Sequence, residues 1–131
     1  MSCFTTGVTV VTAHTQGQDW GMTCNSFNTV SLDPAMVLWS VRKTSASHEA
    51  FVTAGGYMVN VLGAQQKDVA LKFAQGTQAE RFADQPLVRG IHQHPRLEGV
   101  IAWFDCRIAQ VVSAGDHDIL IGEVLDFGVH A

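Results

Sequence analysis

Between Gly21 and Pro34 the sequence reads GMTCNSFNTVSLDP, and six short polar side chains, Thr23, Asn25, Ser26, Asn28, Thr29 and Ser31, share that window. Hydroxyls and amides on short stems leave surface open beside a sheet while offering hydrogen bonds to a planar, heteroatom-rich ligand. A loop whose side chains bond its own backbone is the alternative reading. Further along, Lys43-Thr44-Ser45-Ala46-Ser47 joins a cation and several hydroxyls to an expected helix N-terminus. Unpaired N–H groups and the helix dipole attract an anion there. The alternative is an ordinary capped helix beside a solvated lysine. Together, a place for a flat polar ring and a place for a phosphate point to a phosphorylated heterocycle such as a flavin nucleotide.

No GxGxxG follows a strand, so a nicotinamide dinucleotide held by a Rossmann fold is disfavoured. His117 lies in AGDHD between Asp116 and Asp118, where neighbouring carboxylates can bias its protonation; a plain turn histidine is the other reading. His92 and His94 form an H-x-H pair with no third ligand at a recognisable spacing, and no metal site is expected. Cys24 lies inside the polar window without a base placed near it and reads as a small packing residue. Ser26-Phe27 lacks the G-x-S-x-G context of a nucleophile elbow.

These residues must be positioned by a compact domain. The chain of 131 residues is 47% hydrophobic and 15% charged, which fits one domain over residues 1–131 and excludes a disordered chain. A net charge of -4 without a Lys/Arg cluster argues against nucleic acid or an anionic membrane as partner. The cysteines, Cys3, Cys24 and Cys106, are odd in number and widely spaced, so a reducing cytoplasm is the expected setting. Neither a transmembrane run nor a signal peptide is visible.

The β-branched stretch TGVTVVTAHT, the turn QGQDWG and the polar window read as strand, turn, strand. MVLWSV, from Met36 to Val41, reads as a strand covered on both faces, and YMVNVLG as another. A short helix is expected after Ser45 or Ser47 and ends at Gly55-Gly56; AQQKDVALKFAQG is the clearest amphipathic helix. Residues 77 to 100 are polar and irregular and read as a long loop. IAWFDCRIAQVVSAGDHDILIGEVLDF reads as a long hairpin with His117 at its tip. Six or seven strands with two short helices fit an antiparallel barrel better than a doubly wound fold.

TGVTVVTA, GMTCNSFNTVSLDP, KTSASHEA, NVLGAQQ, RFA at Arg81 to Ala83 and AGDHDILIGEV together resemble the flavin reductase family, over nearly the whole chain. The resemblance implies a mainly β, Greek-key-like split β-barrel of the FMN-binding type, assembled as a homodimer. It implies reduction of FMN or FAD by NADH or NADPH, with the reduced flavin diffusing to a flavin-dependent monooxygenase. Carried over by position, Thr23, Cys24, Asn25 and Ser26 with Thr29, Val30 and Ser31 would line the isoalloxazine ring and ribityl chain. Lys43, Ser45 and Ser47 would hold the flavin phosphate, His117 would be the catalytic residue on the nicotinamide face, and Phe82 would lie in a covering loop. Cys24 stands where many relatives have alanine, and MSCFTTG looks like the end of a family helix. Two other readings share the barrel: a non-catalytic flavin-binding protein, and a pyridoxamine-phosphate-oxidase-like enzyme, for which no extra arginine cluster is present.

Overall fold

A computed structural model describes residues 8–25 and 27–130; Cys3, Ser26 and the MSCFTTG segment lie outside the described residues. The chain runs β1 (Thr9–Thr15), β2 (Gln18–Cys24), β3 (Asn28–Leu32), β4 (Ala35–Arg42), α1 (His48–Ala54) and β5 (Gly56–Val61). A single 3-10 turn (Ala64–Gln66) then leads into α2 (Lys67–Lys72), α3 (Gln78–Phe82), β6 (Leu87–Arg89), β7 (Pro95–Leu97), β8 (Ala102–Ala114) and β9 (His117–Val129). Seven strands form one antiparallel sheet in the order β2-β1-β5-β8-β9-β4-β3. β2 and β3 stand at opposite ends of that order, yet residues 25–27 alone join them. A link so short brings the two edges together, so the sheet rolls into a barrel that stays unpaired between β2 and β3.

Inside, Trp39, Phe51 and Tyr57 are fully buried, with Trp39 edge-on to Phe51 at 4.9 Å and to Tyr57 at 5.9 Å. Truncating such a ring costs ~3–5 kcal/mol. The Tyr57 hydroxyl donates to the Leu120 carbonyl at 2.9 Å, so its polar tip is satisfied. A second cluster of Val10, Leu62, Phe73, Leu97 and Val100 lies beneath α2 and α3.

Two expectations need correction. β4 alternates, with Val37, Trp39 and Val41 buried and Met36, Leu38 and Ser40 only half-buried, so one face is fully covered rather than both. Residues 77 to 100 are not a long loop: they hold α3 and the β6–β7 hairpin, and the chain has nine strands and three α-helices among the described residues. Asn60 explains why this segment is ordered. Its Nδ2 donates to the Val10 carbonyl and to Thr12 Oγ1, both at 3.0 Å, while its Oδ1 accepts the Leu97 N–H at 2.8 Å. Thr12 Oγ1 in turn donates to the Pro95 carbonyl at 2.5 Å. Buried polar groups that satisfy one another fix β7 against the barrel, because leaving any one unpaired costs ~1–3 kcal/mol.

Candidate functional site

The site begins where α3 meets β2. Thr77 caps α3 reciprocally: its Oγ1 accepts the Glu80 N–H at 3.1 Å, and Glu80 Oε1 accepts the Thr77 N–H at 2.7 Å. The helix then presents Gln78 and Arg81, one turn apart, to the backbone of Gly21. Gln78 Oε1 accepts the Gly21 N–H at 2.9 Å, and Arg81 Nη1 donates to the Gly21 carbonyl at 2.7 Å. A Cβ on Gly21 would lie 2.8 Å and 2.9 Å from Phe73 ring atoms and 3.0 Å from Phe82, so the docking requires glycine. Two residues on, the Thr23 N–H donates to the Phe73 carbonyl at 3.2 Å and Thr23 Oγ1 to the Ala70 carbonyl at 2.5 Å. β2 is thereby fastened to both helices.

Across from this junction lies the turn between β4 and α1. Ser47 occupies the N-cap of α1 but makes no side-chain capping bond; its N–H instead donates to Ser45 Oγ at 3.2 Å. Gln78 Nε2 reaches over to donate to Ser47 Oγ at 3.2 Å. The space left between these elements is a cleft of about 360 Å³, within the range of small-molecule sites. Trp20, Met22, Phe73 and Ala74 give it an apolar wall, while Thr23, Ser45, Ser47, Gln78 and Arg81 bring polar groups to it. Partial burial lowers the pKa of Arg81, but a guanidinium remains cationic at any physiological pH.

The long hairpin delivers its tip to the same turn. Arg42 pairs with His117 across β4 and β9, the Lys43 N–H donates to the Asp116 carbonyl at 2.9 Å, and Lys43 Nζ bonds Ser113 Oγ at 2.5 Å. His48 Nε2 lies 2.6 Å from Asp118 Oδ2, which ties the first residue of α1 to the tip. His117 Nδ1 lies 2.8 Å from Asp116 Oδ1. That bond, followed by the charge of His117, holds the Asp116 carboxyl below its ordinary range.

The expected site residues thus fall into groups. Thr23, Ser45 and Ser47 come together on the cleft. Lys43 and His117 join one another at the hairpin tip, next along the chain to that turn but not among the residues lining the cleft. Cys24 is 6% exposed and packs in the main core, so its side chain belongs to the barrel interior. Asn25 is exposed; Thr29 and Val30 are exposed and Ser31 half-buried on the edge strand β3, away from the cleft lining. Phe82 belongs to α3 rather than to a covering loop, with its ring edge-on to Phe73 at 5.0 Å and packed against the second core cluster. Ser26 lies outside the described residues. Gln78 and Arg81 were missed as site residues. Their signal was present in Thr77-Gln78-Ala79-Glu80, the T-x-x-E pattern of a helix start.

Set against known proteins, residues 1–131 match the sequence profile of the flavin reductase like domain. The chain belongs to that family. It is 48% identical over 125 residues to the reductase component of a flavin-dependent trigonelline monooxygenase from Acinetobacter baylyi, covering 95% of this chain and 40% of that protein. It is 45% identical over 125 residues to the FMN reductase (NADH) SmoA of Agrobacterium fabrum, covering 95% of this chain and 71% of the relative. This member of the flavin reductase family therefore spans less than half of the Acinetobacter protein's length. Among solved structures, BorF, the flavin reductase component of a bacterial two-component tryptophan halogenase, superposes with a TM-score of 0.88 at 37% identity, covering 95% of this chain and 80% of BorF. The Streptomyces globisporus NADH:FAD oxidoreductase SgcE6 does so with a TM-score of 0.89 at 35% identity, covering 94% of this chain and 75% of SgcE6.

Proposed function

We propose that residues 1–131 form one flavin reductase domain, working in the cytoplasm, that oxidises NADH or NADPH, reduces FMN or FAD, and releases the reduced flavin to a flavin-dependent monooxygenase. One observation carries the reading: an apolar wall and a cluster of anion-seeking donors, contributed by β2, the β4–α1 turn and α3, converge on one cleft. Names of relatives agree with it. The Agrobacterium protein is an FMN reductase (NADH), SgcE6 an NADH:FAD oxidoreductase, and a flavin reductase named HpaC has been solved with NADP+.

The residues present fit a flavin nucleotide. Arg81 and the hydroxyls of Ser45 and Ser47 would hold its phosphate, and Trp20, Met22 and Phe73 would pack against its ring system and keep water out. Thr23 contributes by shape, since its hydroxyl and N–H are committed to α2 and the residue after it. The bound flavin supplies the redox chemistry by accepting a hydride from a nicotinamide. His117, held through Nδ1 by Asp116, would turn Nε2 toward the nicotinamide, orienting it or steadying developing negative charge.

A homodimer is part of the proposal. Val30 and Leu32 on β3 and Leu125, Phe127 and Val129 on β9 are exposed, with Leu32 at 89% and Phe127 at 63%. Phe127 continues a row of stacked rings, 6.4 Å from Phe104, which lies 5.8 Å from Phe27. Apolar side chains so placed favour a protein partner over water. Sedimentation of wild type and Phe127→Asp tests this: a dimer that the substitution dissociates supports it, and a monomeric wild type overturns it.

The activity itself is tested by following NADH and NADPH oxidation separately with added FMN or FAD under air. Oxidation above the protein-free rate in at least one of the four combinations is expected. Flavin binding without turnover in any of them would replace the reductase with a flavin carrier.

A further inference from the structure

Gln78 sits outside the flavin-contacting residues that the resemblance implies, and its two ends are fully assigned. The Gly21 N–H can only donate, so the amide oxygen of Gln78 must face it, at 2.9 Å. The amide nitrogen then faces Ser47 Oγ, at 3.2 Å, and can only donate to it. Ser47 is 5% exposed, and its hydroxyl does not cap α1. Among the described residues nothing accepts its proton. A hydroxyl that receives a hydrogen bond from Gln78 directs its own proton elsewhere, and the open side of Ser47 is the cleft.

We propose that Gln78 is a positioning and specificity-determining residue: by donating to Ser47 Oγ it directs the Ser47 hydroxyl proton toward the cleft, where it favours a ligand that presents a strong acceptor oxygen, as a phosphate does. This rests on the flavin reading above and narrows it, since the phosphorylated flavins are then favoured over riboflavin, which carries the same ring and no phosphate. The polarity is set from a distance: the Gly21 N–H fixes the amide, the amide fixes the hydroxyl, and the hydroxyl meets the ligand. Arg81 strengthens the chain by holding the Gly21 carbonyl at 2.7 Å, which keeps the Gly21 peptide in register with Gln78.

Gln78→Glu keeps the shape and reverses the polarity. A carboxylate still accepts the Gly21 N–H, but it now accepts from Ser47 as well and draws the hydroxyl proton away from the cleft. Dissociation constants for FMN and riboflavin, read from flavin fluorescence without any turnover, are expected to diverge. FMN binding should weaken by about tenfold or more while riboflavin binding stays within about twofold. Because the glutamate also repels phosphate, the same substitution is made in a Ser47→Ala background, where the hydroxyl's share disappears and a smaller FMN-selective loss is expected. The uncharged Gln78→Met gives a second reading should the glutamate variant not fold, with a loss of about threefold expected for FMN alone. Equal losses for FMN and riboflavin, or an unchanged ratio, would overturn the role of Gln78. Wild type that binds neither flavin would instead overturn the flavin reading of the cleft.

Discussion

His94 makes the stability of this barrel sensitive to acid. Its imidazole is 3% exposed, and its Nδ1 accepts the His14 backbone N–H at 3.0 Å, so a proton at Nδ1 would set donor against donor. Burial first, and then the nearby His92 and His14, push its pKa down from 6.5 to about 4. The folded value lies below the unfolded one, so the fold favours neutral His94. That contribution is complete above the unfolded pKa and is lost as pH falls through the window down to the folded pKa. A gap of this size corresponds to at most about 3 kcal/mol, a large share of the ~5–15 kcal/mol that holds a domain folded. Other groups nearby titrate too. Burial raises Asp105 despite the Ile91 N–H it accepts, which gives the opposite slope, whereas Asp19 is held low because Arg89 and His14 outweigh its burial. Comparing wild type with His94→Gln, which retains an acceptor for His14, cancels those shared contributions. Urea unfolding across pH 4 to 7 should show wild type losing ~2–3 kcal/mol more than the variant. Parallel curves, or a wild type that gains on the variant as pH falls, would show that His94 does not carry the acid sensitivity.

Gly21→Ala should destabilise the protein by ~1–3 kcal/mol and weaken flavin binding with it, because the added methyl meets Phe73 and Phe82 and lifts α3 from β2; thermal melting and flavin titration read both effects. Arg81→Met should reduce FMN affinity by about tenfold or more, with a smaller effect on riboflavin, and flavin fluorescence measures it. His117→Ala should slow nicotinamide-dependent reduction in stopped flow more than it weakens flavin binding, since the histidine stands at the hairpin tip and not in the cleft lining. Equal losses in rate and affinity would move it into the flavin site.

Much of this was legible in the sequence wherever an element was long enough to show a period. The alternation of Phe104, Cys106 and Ile108 revealed the β8–β9 hairpin, and the run from Tyr57 to Val61, all of it buried, revealed β5. α3 and the β6–β7 hairpin were not legible by period, because elements of five and three residues are shorter than the repeat needed to detect them. The capping pattern at Thr77 was the one local signal for α3. The site divided in a similar way. Ser45 and Ser47 showed themselves through local chemistry, whereas Gln78 and Arg81 act on Gly21 from nearly sixty residues away. Cys24 was read from its surroundings as a small packing residue, and its core position agrees with that; only the family resemblance set it beside the ligand, whereas strand alternation turns its side chain into the core.

Everything proposed for this protein depends on the cleft between β2, α3 and the β4–α1 turn holding the flavin. A crystal structure of the protein with FMN addresses it most directly. The phosphate is expected within hydrogen-bonding reach of Ser47 and Arg81, and the ring system against the Trp20 and Phe73 wall. FMN bound elsewhere, for instance along the exposed residues of β3 with the cleft filled by water, would contradict it.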